Sequence, residues 1–260
     1  MNIEYAIPSY NRADGVLTLD YLSKAKVYVS PEDYPNYIKH NQRHADRIIA
    51  VPEGVQGKGK AHAMNYLLDT LWSEQTDAIV FIDDDVTTLM AHIKNGKHEE
   101  RTEEEFYEIV ENNCRLAKDW GCGMWSFNLN SDPMIYDEFK PFRLHAYLDG
   151  GCQGIVQNDG LRYDEELTVK EDVDMFLQQV QKYHKALRID KYYLKKRSFE
   201  GSGGSQEFRS KEAEQEQFKM MQKKWGSSII RPNKPTATKE DGSIRAMGGA
   251  IRVHLPLKGC

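Results

Sequence analysis

The chain has 260 residues, of which 40% are hydrophobic and 10% aromatic, a composition that excludes a disordered chain or a disulfide-dense mini-protein. Its longest aliphatic run, Ala78-Ile-Val-Phe-Ile82, is far short of the roughly 20 residues a membrane helix needs, and Cys114, Cys122, Cys152 and Cys260 form no C-x-x-C pair and read as reduced thiols. The net charge of −5 conceals an asymmetry: from Lys182 onward 18 Lys and Arg face 8 Asp and Glu, whereas residues 1–181 hold 17 bases and 32 acids.

Taken in chain order, short β-rich runs alternate with helical stretches over the first 130 residues, the pattern of parallel strands with crossover helices. The N-terminus, Met1 to Pro8, has an acid at position 4 and an early proline where a secretory signal has bases and a longer apolar stretch, which points to the cytoplasm. Ile3–Ile7 is the first predicted strand and Val16–Ala25 the first helix; Lys26–Ser30 follows as a strand, with Pro31 at a first helical position, and Arg47–Val51 is the third strand. Ala63, Tyr66, Leu67 and Leu71 share one face of a helix over Ala61–Trp72. Ala78–Ile82 reads as a buried strand, Thr102-Glu-Glu-Glu105 as a capping box opening a helix to about Trp120, and Met124–Asn128 as a further strand. Beyond residue 130 the rhythm loosens: Arg143–Leu148 and Cys152–Gln157 are predicted strands flanking Gly150-Gly151, and Asp172–His184 is a helix. Gly201–Ser205 reads as a loop, Gln206–Trp225 as a charged helix, Asn233–Asp241 as a surface loop and Ser243–His254 as a glycine-broken strand.

The strongest chemical signal is Asp83-Asp84-Asp85 at the end of an apolar strand. In open α/β sheets ligands bind beyond the carboxyl ends of strands, and three adjacent carboxylates repel one another unless a cation intervenes; Mg²⁺ or Mn²⁺ suits carboxylate and phosphate oxygens. A solvated acidic turn opening the next helix is the other reading. Pro8-Ser9-Tyr10-Asn11-Arg12 ends the first strand and brings Ser9, Asn11 and Arg12 to the same edge, where a guanidinium can hold a phosphate or carboxylate. Gly57-Lys-Gly-Lys60 lacks the spacing of a nucleoside-triphosphatase loop but presents Lys60 at a helix N-terminus, where anions are favoured.

Together, the strand ending in Pro-Ser-Tyr-Asn-Arg, the G-K-G-x-A-x-x-x-N segment and the D-x-D triplet resemble nucleotide-sugar glycosyltransferases of the GT-A fold, and most closely the TET-associated DNA glycosyltransferases of bacteriophages, which glycosylate hydroxymethylated pyrimidines in DNA. The resemblance implies a GT-A-like α/β fold, a mixed sheet flanked by helices, with a nucleotide-sugar-binding and catalytic part over residues 1–181 and a basic C-terminal extension over 182–260 that completes the domain and contacts the acceptor. It implies a UDP-sugar donor, a divalent metal, and inversion at the sugar. By motif, Asp85 is the direct metal ligand and Asp83 contacts ribose or metal; Pro8, Ser9, Asn11, Arg12, Lys60, Asn65, Asp83 and Asp84 line the donor. Lys170-Glu-Asp-Val-Asp174 fits the late carboxylate of inverting members and makes Asp172 the general-base candidate, a helix N-cap being the alternative. No clear late metal-binding histidine stands out; His184 and His254 are the available ones.

In the basic segment Lys195, Lys196 and Arg197 lie between Tyr193 and Phe199. They are the expected DNA contacts, cations tracking phosphates and aromatics stacking on an unpaired base, unless the segment is an amphipathic strand with solvated lysines or docks on the acidic part. Two rival functions remain. A sugar-phosphate nucleotidyltransferase would carry a glycine-rich loop after strand one, and Ser9 to Arg12 contains no glycine; a non-catalytic nucleic-acid-binding module leaves Asp83 to Asp85 unexplained.

Overall fold

The computed structural model describes residues 1–93, 96–133, 136–148, 150–197, 204, 208, 210–232 and 251–255. Two compact units divide between Glu207 and Phe208. In chain order the first runs β1 (Ile3–Pro8), α1 (Thr18–Tyr21), β2 (Lys26–Val29), α2 (Tyr34–His40), β3 (Ile48–Ala50), α3 (Lys60–Leu71), β4 (Ala78–Ile82), β5 (Val86–Ile93), β6 (Lys97–Arg101), α4 (Glu103–Asp119), β7 (Met124–Asn128), β8 (Phe142–Arg143), β9 (Cys152–Ile155), α5 (Glu171–Tyr183) and β10 (Leu187–Lys196). The second holds α6 (Lys211–Trp225) and the antiparallel pair β11 (Ile230–Pro232) and β12 (Ile251–Val253). The predicted loops 201–205 and 233–241, apart from Gly204, and most of the predicted strand 243–254 lie outside the described residues.

The sheet of the first unit has the order β3-β2-β1-β4-β9-β7-β10-β5-β6, with β8 also on β10. It is the expected mixed α/β architecture. β1, β2, β3 and β4 are mutually parallel, β9 is antiparallel to both β4 and β7, and β10 runs parallel to β7. The chain builds outward from β1 to β3 and then returns to place β4 on the other side of β1, so the crevice beyond the carboxyl ends of β1 and β4 is a topological switch point. Every residue of β4 is buried, as its unbroken apolar run requires of a strand covered on both faces. α4 begins in the predicted capping box, with Thr102 and Glu105 exchanging side-chain and backbone hydrogen bonds, and presents Phe106, Val110 and Cys114 to the core. Trp125 donates its indole N–H to Cys114 Sγ at 3.2 Å and lies over Gly154, where a Cβ would fall 2.1 Å from the indole nitrogen. Cys114, Cys122 and Cys152 are buried. No helix among the described residues is long and apolar enough to cross a membrane.

Three departures from the sequence reading matter for the site. The expected helix Val16–Ala25 shortens to one turn, Thr18–Tyr21, because Thr18 is tied to the acidic motif: its Oγ1 donates to Asp83 O at 2.7 Å and accepts from Val86 N at 3.0 Å. The expected strand Arg143–Leu148 is reduced to Phe142–Arg143, and the helix placed at Pro31 starts at Tyr34. β10, at the start of the basic segment 182–260, is an interior strand of the sheet, hydrogen-bonded to β7 on one side and β5 on the other, and the two compact units divide at 207/208.

Candidate active site

The carboxyl ends of β1, β4 and β10 share one edge of the sheet, and the antiparallel β9 begins there, Cys152 pairing with Ile82. Ser9, Asp83 to Asp85, Lys196 and the Gly150-Gly151 turn are thereby collected by topology alone. Across the β1/β4 crevice Ser9 Oγ donates to Asp84 Oδ2 at 2.5 Å and is 2.7 Å from Tyr37 OH, which accepts the Arg12 backbone N–H at 3.0 Å. Arg12 Nη1 reaches Asp84 Oδ1 at 3.3 Å and Asp85 Oδ2 at 4.0 Å. Asp84 is thus the buried anchor of the β1 turn; burial raises its pKa, while Ser9 and Arg12 pull it back. Asn11 takes a left-handed φ of 53°, a conformation Asn tolerates, and its N–H donates to Asp33.

Asp83 is differently placed. Lys60 Nζ donates to Oδ1 at 2.6 Å and Lys196 Nζ to Oδ2 at 2.8 Å. Burial disfavours its charge, but the two ammonium groups outweigh burial and hold the carboxyl well below the usual carboxylate range. Lys60 enters from the first turn of α3, which Gly59 precedes at a φ of +106° that favours glycine, and it also donates to Gly150 O at 3.1 Å. Gly150 in turn lies against Asp172: a Cβ there would be 3.2 Å from Asp172 Oδ2. Lys60 therefore links the acidic motif to the candidate base.

Asp172 occupies the second position of α5. The residue before the helix is Lys170 and makes no side-chain cap, so the N-cap alternative for Asp172 does not describe what is there. Its Oδ1 accepts the Val173 N–H at 2.7 Å and its Oδ2 accepts from Tyr147 OH. Asp85 has the least satisfied carboxylate of the triplet: Oδ1 is buried with no hydrogen-bond partner. Burial, aided by Asp83, pushes its pKa up to about 6 against the pull of Lys196. A buried carboxylate oxygen with no hydrogen-bond partner fits a divalent cation that takes one protein carboxylate and completes its shell from phosphate and water. Asp83, with both oxygens engaged, fits that role less well than Asp85, and no cluster of three or more His, Cys, Asp or Glu suited to a metal occurs among the described residues.

The remaining expected site residues do not all stand at the centre of this edge. Asn65 Oδ1 accepts the Tyr163 N–H and its Nδ2 donates to Tyr163 O, both at 2.9 Å, so it fixes the loop before α5. Pro8 ends β1 opposite Tyr28. His184 caps the far end of α5, a helix of 13 residues and hence about 20 Å long, away from Asp172. His254 belongs to the second unit, where its N–H donates to Ile229 O. The three residues expected on DNA separate: Lys195 pairs with Glu100 at 3.0 Å, Lys196 sits on Asp83, and the Arg197 N–H donates to Asp85 O at 3.1 Å. Thr18, Tyr37, Tyr147 and Gly150 carry no local motif and were absent from the sequence reading of the site.

Acids, paired cations and a helix-borne carboxylate thus meet at the switch point of a mixed α/β sheet. The chain belongs to the TET-associated glycosyltransferase family, whose model matches residues 4–204. It is a glycosyltransferase by family, built on a mixed α/β sheet. No curated protein matches it. Among solved structures it is similar to glucosyl-3-phosphoglycerate synthase from Mycobacterium tuberculosis in complex with Mg²⁺ and UDP, at 14% identity and a TM-score of 0.41, covering 76% of this chain and 72% of that one. It is also similar to 4-diphosphocytidyl-2C-methyl-D-erythritol synthase from Anaerococcus prevotii (11%, TM-score 0.35, covering 66% and 82%). A third similarity is to galactosyltransferase LgtC in complex with donor and acceptor sugar analogues (13%, TM-score 0.31, covering 69% and 66%).

Proposed function

We propose that this glycosyltransferase moves a hexose from a UDP-linked donor to the hydroxyl of a 5-hydroxymethylpyrimidine in DNA, with a divalent metal and with inversion at the anomeric carbon. The observation that supports it most is the convergence of Arg12, Asp83 to Asp85 and Asp172 on one sheet edge, joined through Lys60 and Gly150. In this reading the β1 turn, Pro8 to Arg12, receives the uridine and the near phosphate, Lys60 faces the diphosphate, and Asp85 holds the metal. Bound Mg²⁺ or Mn²⁺ supplies positive charge against the departing diphosphate. Asp172 accepts the proton of the acceptor hydroxyl as that oxygen bonds to the anomeric carbon; the bond from that carbon to the β-phosphate oxygen breaks, and its electron pair leaves with UDP. A single displacement of this kind inverts configuration. Lys195 and Arg197, both exposed, remain the cations assigned to DNA phosphate.

The test is incubation with UDP-hexoses, Mn²⁺ and DNA containing 5-hydroxymethylcytosine, followed by mass spectrometry of the released nucleosides. A hexose added to the modified nucleoside is expected. Donor consumption with transfer only to water or to small molecules contradicts the acceptor, and absence of any consumption contradicts the reaction.

A further inference from the structure

We propose that Lys196 is a donor-site residue: with Lys60 it forms a paired-ammonium seat for the diphosphate of the nucleotide sugar, and it does not contact DNA. The assignment rests on the donor reading above. β10 runs parallel to β7 and ends at the ligand edge, so residue 196 arrives beside a motif 113 positions earlier in the chain. There its ammonium and that of Lys60 take the two oxygens of one carboxylate, at 2.8 Å and 2.6 Å, from opposite elements, a strand end and a helix start. Both side chains keep an opening to solvent at that edge, 30% and 21% exposed.

Neutralisation of the acidic triplet does not account for this arrangement. Three cations meet three carboxylates here, yet they are shared unevenly: Arg12 takes Asp84 and only approaches Asp85, at 4.0 Å, and the buried Oδ1 of Asp85 has no hydrogen-bond partner. Two ammonium groups gather on Asp83 alone, a local surplus of positive charge beside the unpartnered Asp85 oxygen. An anion seat next to a cation ligand is the charge pattern that a diphosphate carrying a divalent ion requires, and the site provides it with Asp83 acting as the spacer that fixes both ammonium groups. Alternation along a strand explains why the neighbouring Lys195 goes elsewhere: it pairs with Glu100 on β6.

The experiment compares the parent protein with K196Q and K196R for binding of UDP, of uridine and of hydroxymethylated duplex DNA, each in Mn²⁺ and in EDTA. Loss of a charge-assisted phosphate contact is expected to weaken UDP binding about ten- to hundredfold in K196Q under both conditions. Uridine and DNA binding should be unchanged, and K196R should recover part of the UDP affinity. Unaltered UDP binding in K196Q, or weakened DNA binding, overturns the assignment and leaves the donor reading standing. Loss of uridine together with UDP makes Lys196 a structural residue and also overturns it. If the parent binds no UDP at all, the donor reading fails along with it.

Discussion

Asp85→Asn is expected to lower turnover about 10²–10³-fold or more, because the variant keeps the shape of the side chain and removes the charge that the proposed reaction assigns to a metal on the leaving group. The apo protein should show the opposite trend in stability. A carboxyl whose folded pKa of about 6 stands above its unfolded value costs stability at pH 7, and that cost fades as pH falls through 6 toward the unfolded value. Melted in EDTA at pH 7, the Asn variant is therefore expected to be at least as stable as the parent. Loss of activity with retained or raised melting temperature separates a functional carboxylate from a structural one. Full activity of the variant in EDTA would remove the metal from the account.

Asp172→Asn is the second variant with a large expected effect. Its Oδ1 and Oδ2 only accept hydrogen bonds, from Val173 N–H and Tyr147 OH, and an Asn oxygen can keep one of them, so the fold should tolerate the change. What is lost is the ability to take a proton. Transfer to a hydroxyl should fall roughly 10²–10⁴-fold with UDP affinity nearly unchanged. Near-normal turnover in this variant would show that the carboxylate at the start of α5 serves only the helix, whose N-terminal end favours negative charge in any case.

The part of the site that sequence made legible is the part built from contiguous runs. Ala78–Ile82 had to be a buried strand, so Asp83 to Asp85 had to emerge at its end; the polar run after Ile7 had to end β1 near them, and the helix after Gly59 had to start with Lys60. Legibility stops where long-range pairing decides. β5 and β6 went unrecognised because Val86–Ile93 follows three aspartates directly and Lys97–Arg101 is a charged strand whose place is set by register against β5. The apolar face of 16–25 suggested a helix, yet the bonds of Thr18 to Asp83 O and Val86 N dictate a single turn there. Lys195, Lys196 and Arg197 looked like one basic cluster because sequence shows adjacency and not direction; on a strand end, neighbours diverge, and the middle one belongs to the acidic motif. Asn65 stood inside a donor-binding motif, but its amide is spent on the backbone of Tyr163.

The central claim is that one sheet edge holds both the metal-bearing diphosphate and the base. A crystal structure with UDP and Mn²⁺, with the ion located by its anomalous scattering, tests it most directly. The account predicts a manganese peak in contact with Asp85 Oδ1, the diphosphate on Lys60 and Lys196, and Asp172 facing the open side where the acceptor enters. A manganese peak away from residues 83–85, or UDP bound away from the β1 turn, would contradict it.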